Sequence, residues 1–268
     1  MVNRSNPRPV MIAAGGTGGH VFPALVVAQV LARRNVPVVW IGTRRGIEAR
    51  VIVEAGIPIE WLDVVGLRGK SLSQTLVAPF KIARAVLQAF RLVLKHKPIA
   101  VLGMGGFVSG PVGLASRLLA RPLVLHEQNA VAGMTNRWLA RLSSRVLQAF
   151  PGAFSPAVSV ETVGNPLRQG IEHGQEQRRD EREVRILVVG GSLGARFFNE
   201  TLPEVFQQLG SEYRFWHQVG KSHSASVQAL YDAAGIADVS NVDEFIVDMQ
   251  AAYRWADNVI CRAGAMTV

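Results

Sequence analysis

The run from Val10 to Leu25 is apolar up to Ala14, breaks into Gly15-Gly16-Thr17-Gly18-Gly19, and resumes after His20 with helical spacing. A buried strand, a glycine turn and a helix start, in that order, open a parallel β-α unit. The four glycines keep Cβ atoms out of a ligand's way, and the turn's N–H groups sit at the positive end of the next helix dipole. That makes a seat for a phosphate-bearing ligand, although one such turn could equally serve only to pack a strand on a helix. The plan restarts at Ile186, where an apolar strand meets Gly190-Gly191-Ser192-Leu193-Gly194 and mirrors the first turn. The expected fold is therefore α/β, two Rossmann-like domains facing each other across a cleft.

Strand signals alternate with helices throughout: Val10–Ala14, Val36–Ile41, Ile59–Val64, Ile99–Leu102, Leu123–His126 and Val146–Gln148 in the first half, then Arg214–Val219, Val239–Phe245 and Asn258–Cys261. Helices are expected at Leu72–Lys97, Asn199–Leu209, Val227–Ala234 and Asp248–Trp255. Parallel sheets of this kind bind ligands beyond the carboxyl ends of their strands. Those ends carry the glycine turns, His20, Glu127 and Asn129. The strand pattern stops at Asn165-Pro166, so we expect an N-terminal domain over 1–165, a linker or loop over 166–183, and a C-terminal domain over 184–268. With 49% hydrophobic residues in 268, there is apolar material for two cores. Arg262 to Val268 begin a loop-to-helix turn too short to hold a helix, which suggests a second domain cut short.

Charge divides the chain. Residues 1–165 carry 19 Lys and Arg against 6 Asp and Glu, and the remainder carries 10 against 14, so the halves are +13 and −4. An anionic partner for the first half is implied, whether membrane surface, nucleic acid or phosphorylated substrate. Lys81, Arg84, Arg91 and Lys95 recur at helical spacing beside an apolar stripe of Phe80, Ala83, Leu87, Phe90 and Leu94. Adjacent stripes suit a helix lying on an anionic bilayer, and Leu67 and Lys70 just upstream extend that membrane-contact set. One cysteine, Cys261, leaves no internal disulfide, and no Cys/His cluster has metal-ligand spacing. The N-terminus lacks the apolar stretch of a signal peptide, and Pro98–Ser116 is too rich in glycine to span a membrane, so cytoplasmic residence is expected.

Six motifs occur in order: Gly15 to His20, Gly103 to Gly110, His126-Glu127-Gln128-Asn129, Gly164 to Arg168, Gly190 to Arg196, and Cys261 to Ala265. Together they resemble glycosyltransferase family 28, the N-acetylglucosaminyltransferases of bacterial peptidoglycan synthesis, and the likeness covers essentially the whole chain. It implies a GT-B fold acting peripherally at the cytoplasmic face of the inner membrane. The C-terminal domain would hold the UDP-sugar, and the N-terminal domain would take the lipid-linked acceptor. The implied donor is UDP-GlcNAc and the implied acceptor undecaprenyl-pyrophosphoryl-MurNAc-pentapeptide (lipid I), giving lipid II. No metal and no cofactor are implied, and other proteins of wall synthesis are implied partners. Carried over by motif, donor contacts fall on Thr17, Gly18, Gly19, Asn129, Arg168, Ser192, Ile246 and Ala265, Met266, Thr267 and Val268. His20 and Glu127 fall near the reacting hydroxyl. Phe107 stands where some relatives have Tyr, and Leu193 replaces a more polar residue. The chain ends just before an acidic residue and a glutamine that complete the family's donor pocket, which puts its donor binding and activity in question.

The reaction so implied is one inverting displacement: the acceptor's C4 hydroxyl attacks the anomeric carbon and UDP departs. Main-chain N–H groups of the Gly190–Gly194 loop, helped by Arg168, would hold the departing charge. The hydroxyl proton needs a base; imidazole exchanges protons near neutral pH, so His20 is the first candidate, with Glu127 the second or the group that orients it. Two rivals remain on residues alone. One is an NADP-dependent oxidoreductase, since Arg44 and Arg45 end the second strand where a 2′-phosphate could sit; against it, the glycines do not spell Gly-x-Gly-x-x-Gly. The other is a non-catalytic basic protein binding membrane or nucleic acid; no nucleic-acid module or interleaved aromatics are present, so no nucleic-acid partner is expected.

Overall fold

The computed structural model describes residues 7–64, 78–167, 183–191 and 194–262. These fall into two compact units, 1–168 and 169–268.

In the first unit the order is β1 (Val10–Ala13), α1 (Gly18–Arg33), β2 (Val38–Gly42), α2 (Glu48–Glu54), β3 (Ile59–Trp61), α3 (Ala78–His96), β4 (Ala100–Gly103), α4 (Ser109–Leu118), β5 (Leu123–Glu127), α5 (Met134–Ala140), β6 (Arg145–Gln148) and β7 (Glu161–Thr162). The strands form one sheet in the order β3-β2-β1-β4-β5-β6-β7, all pairs parallel. Strand order reverses between β1 and β4, the place where such sheets open a crevice at their carboxyl ends. Both faces of β1 are covered, with Met11, Ile12 and Ala13 at 0% exposure, which is why its sequence is continuously apolar. Full burial of side chains such as Ile41, Ile52 and Leu125 contributes about 1.5–3 kcal/mol each. Trp40 is also fully buried, and its Nε1–H donates to the Ala14 carbonyl at 3.0 Å, fixing β2 to the first residue of the glycine turn.

The second unit runs β8 (Val184–Val189), α6 (Arg196–Gln207), β9 (Tyr213–Gln218), α7 (Ser224–Ala233), a 3₁₀ turn at Ala237–Val239, β10 (Ser240–Asp243), α8 (Met249–Trp255) and β11 (Asn258–Cys261). Its sheet is parallel, ordered β10-β9-β8-β11. Phe206 stacks on Phe215 with centroids 4.1 Å apart, beneath β9.

Strand positions follow the sequence reading to within a few residues. The third strand stops at Trp61 rather than Val64, because its neighbour β2 ends at Gly42, opposite Trp61. Similarly, the strand expected over Val239–Phe245 is β10 alone, since β9 gives out at Gln218, opposite Asp243. The two-residue β7 was not expected; it is too short to carry an alternating pattern. The described part of the basic helix begins at Ala78, so the onset expected at Leu72 lies outside the described residues.

Candidate active site

The turn after β1 is held by a carboxylate. Glu48, the first residue of α2, is 0% exposed. Its Oε2 accepts from the Gly16 N–H at 3.0 Å, and its Oε1 accepts from the Thr43 N–H at 2.9 Å and the Thr43 hydroxyl at 2.7 Å. The glycines of this region are small to admit it: a Cβ on Gly15 would lie 2.6 Å from Glu48 Oε1. One consequence narrows the phosphate-seat expectation: the Gly16 N–H is already taken by this carboxylate. Thr17 caps α1 with extended backbone and makes no side-chain cap bond. The first N–H groups of α1, those of Gly18 and Gly19, lie outside the helix's own hydrogen-bond ladder.

The turn after β4 nests on the first. Gly106, at φ +80°, places its α-carbon against the Gly15 carbonyl, where any Cβ would collide. Ser109 Oγ lies 2.9 Å from the Ala13 carbonyl and 2.8 Å from the Gly105 carbonyl, and accepts from the Gly105 N–H at 3.0 Å. His20 lies over this turn; a Cβ on Gly105 would approach its Nδ1 to 2.6 Å.

From the end of β5, Glu127 and Gln128 turn to different tasks. Glu127 is 1% exposed and its carboxylate accepts four hydrogen bonds: from the Asn129 N–H (3.0 Å), Asn129 Nδ2 (2.7 Å), the Gly133 N–H (3.1 Å) and Asn136 Nδ2 (2.9 Å). Among the described residues no bond joins it to His20. The partner of His20 is Gln128, whose Oε1 is 3.1 Å from His20 Nδ1. Glu127, expected as second base or as the group that orients His20, is engaged by four donors that make it the brace of the loop from 128 to 136, and it holds Asn129 in place.

The turn after β8 has different surroundings. Gly194, at φ +73°, lies against the Val219 carbonyl, and Asn199 Nδ2 donates to that same carbonyl at 3.0 Å. Arg262 Nη2 donates to the Gly194 carbonyl at 3.0 Å, so a cation attends this turn where an anion attends the first. Ile246 is 3% exposed, in a small core with Leu187 and Ala252, which leaves only its main chain for a ligand. Arg168, Ser192, Ala265, Met266, Thr267 and Val268 lie outside the described residues. Two surface concavities of about 400 Å³, one bordered by Ser144, Arg145 and Glu161 and the other by Val36, Val38 and Pro58, sit at the amino ends of strands, away from these turns.

Comparison with known proteins decides the family. The model of the glycosyltransferase family 28 N-terminal domain matches residues 10–148, and that of the family 28 C-terminal domain matches 185–268. The chain belongs to glycosyltransferase family 28. A relative from Methylococcus capsulatus, 52% identical over 97% of this chain and 73% of its own length, is named UDP-N-acetylglucosamine--N-acetylmuramyl-(pentapeptide) pyrophosphoryl-undecaprenol N-acetylglucosamine transferase. One of the same name from Shewanella denitrificans is 51% identical over 100% of this chain and 74% of its own. A crystal structure of Acinetobacter baumannii MurG aligns over 97% of this chain and 75% of that one, with TM-score 0.78 and 44% identity. The kitacinnamycin glycotransferase, 16% identical with TM-score 0.71, shares the fold. Two parallel sheets wrapped by helices are the paired Rossmann-like units of a GT-B glycosyltransferase.

Other residues of this family 28 chain bear on the rival and membrane readings. Arg44 stacks over the Trp61 ring at 5.1 Å, which occupies one of the two arginines that an NADP reading needs. On α3, Lys81, Arg84, Arg91 and Lys95 are all exposed, with Phe80 (77%), Leu87 (52%) and Leu94 (48%) beside them, while Phe90 packs partly on the core. Within that stripe Lys95 pairs with Glu60 at 2.6 Å and Arg84 with Asp63 at 3.5 Å, and among the described residues Lys81 and Arg91 make no ion pair. Burial would raise the pKa of Glu60, but hydrogen bonds from Lys95 and His96 outweigh it, so the carboxyl sits below its ordinary value. Leu67 and Lys70 lie outside the described residues. Among the described residues, no helix is long and apolar enough to cross a membrane.

Glu48, Ser109, Gln128 and Arg262 went unnoticed as site residues in the sequence. Each lies at or beside a glycine turn or strand end, which is the signal that could have found them; the partners they hold are distant in the chain.

Proposed function

We propose that this family 28 glycosyltransferase moves N-acetylglucosamine from UDP-GlcNAc to the C4 hydroxyl of the MurNAc of lipid I, with inversion at the anomeric carbon. The observation that carries the reading is His20, held at the carboxyl end of a fully parallel sheet by a neutral amide rather than by a carboxylate. A ring so held can take the hydroxyl proton as the new C1–O4 bond forms. As the bond from C1 to the diphosphate breaks, UDP carries away its electron pair. The second unit suits that leaving group, since its glycine turn has Arg262 attached and lies at the start of α6, whose N-terminal end favours an anion. Thr17, Gly18, Gly19, Asn129 and the main chain of Ile246 supply further donor contacts, and Glu127 keeps Asn129 in register. Membrane association rests on Lys81 and Arg91 with Phe80, Leu87 and Leu94, a partly cationic, partly apolar face suited to an anionic leaflet at which a polyprenyl acceptor is held.

Titration calorimetry with UDP-GlcNAc, on this chain and on a longer one carrying the remaining quarter of its relatives' length, tests the donor assignment. UDP release with a lipid I analogue in the longer chain tests the reaction. His20→Ala should lower kcat by about 10²–10⁴ with donor affinity unchanged; near-normal turnover would remove His20 as the base.

A further inference from the structure

The hydrogen bonds behind His20 form a chain that can be read from one end. The Gly164 carbonyl lies 2.9 Å from His126 Nε2. A carbonyl only accepts, so Nε2 carries the hydrogen. His126 is 3% exposed, and burial pushes its pKa down, so the ring is neutral and its Nδ1 offers a lone pair. Gln128 Nε2 lies 3.1 Å from that Nδ1, 3.2 Å from the His126 carbonyl and 3.8 Å from Met104 Sδ. All three are acceptors, so the NH₂ end of the Gln128 amide is fixed there and its oxygen is turned to His20 Nδ1, 3.1 Å away. An amide oxygen cannot donate. His20 must therefore carry its hydrogen on Nδ1.

From this geometry we infer that Gln128 is a positioning residue: anchored by His126, it holds His20 as the Nδ1–H tautomer and leaves Nε2 bare to receive the acceptor's proton. The assignment deepens the reading of His20 as base and rests on it. Once Nε2 gains the proton, the Nδ1–H bond to Gln128 persists unchanged, so proton uptake requires no reorientation of the amide. Gln128 is 1% exposed, and the Asn165 amide donates to its carbonyl at 3.2 Å, so the side chain projects from a fixed backbone. Gly105, which has no Cβ to meet the ring, leaves His20 room to lie in that one position.

The test is the ¹⁵N spectrum of the histidine rings in the folded, substrate-free protein at neutral pH, with the His20 signals assigned by their loss in His20→Asn. Expected are a protonated Nδ1 and a bare Nε2 for His20. Finding Nε2 protonated in the unaltered protein overturns the proposal without any variant. Gln128→Met, which keeps length in a buried site, should give a mixture of tautomers, whereas Gln128→Glu retains an acceptor and should keep the Nδ1–H form. A Gln128→Met protein with native backbone amide shifts and an unchanged His20 tautomer also overturns it. In turnover, Gln128→Met should lower kcat about tenfold or more with the donor KM within twofold. The two readings fail separately: an Nδ1–H ring that responds to Gln128→Met while His20→Ala turns over normally removes the base and keeps the positioning.

Discussion

The glycine turns after β1 and β8 occupy the same place in the same strand-turn-helix plan, yet side chains of opposite charge brace them. Glu48, 32 residues from Gly16, fills the first from inside the protein. Arg262, 68 residues from Gly194, attends the second from an exposed position. A glycine motif thus specifies a backbone shape that a ligand can approach. Which charge it welcomes is decided by a side chain from elsewhere in the chain. A carboxylate beside the first turn disfavours a further anion there, and a guanidinium beside the second favours one.

The sharpest way to break this contrast is to remove each brace. Glu48→Ala removes a fully buried carboxylate from three part-buried donors and should cost about 3 kcal/mol in chemical denaturation, whereas the exposed Arg262→Ala should cost about 0.5–1 kcal/mol. Equal losses would show that the two braces do the same work. Next come the turns' own contacts. Gly106→Ala drives a Cβ into the Gly15 carbonyl at φ +80° and should cost about 3 kcal/mol or more; Gly191→Ala, at φ +82° with open space around it, should cost about 1 kcal/mol. A thermal melt of both variants decides.

Acid separates the units again. Burial lowers the pKa of His217, whose Nδ1 lies 3.1 Å from the Tyr231 hydroxyl, to about 4. The unfolded chain binds that proton near pH 6.5 while the folded one does not, so stability falls from about pH 6.5 and levels off near pH 4, a loss of up to about 3 kcal/mol. Glu60 in the first unit has a lowered pKa, so its contribution is intact above pH 4.5 and is lost only as pH falls through its lower folded value. Denaturation midpoints between pH 7.5 and 4.5 should thus decline, and His217→Asn should flatten the decline. The smallest effect concerns the charge surplus of the first half. Lys81→Ala and Arg91→Ala should each weaken binding to anionic vesicles about fivefold, the loss of about 1 kcal/mol per cation. Lys95→Ala, whose charge already meets Glu60, should change it less than twofold.

Much of this was legible in the sequence. The strands showed because sheets covered on both faces need unbroken apolar runs such as Val10–Ala13 and Val184–Val189. His20, Glu127 and Asn129 could be placed from the sequence because a glycine turn precedes the first and a strand end carries the other two, and the structure has them at those positions. What could not be read was pairing. Nothing in the order of residues shows that Glu48 reaches Gly16, that Gln128 rather than Glu127 reaches His20, or that Arg84 and Lys95 meet Asp63 and Glu60. Such choices depend on distances set only when separate β-α units are laid side by side.

The nesting of Gly106 on Gly15 carries its own implication. Two segments far apart in the chain meet there through bare backbone, with no side chain between them to absorb a change. Evolution, or an engineer grafting a new specificity, must treat them as a single part. A loop borrowed from a relative fits only when its counterpart is borrowed with it.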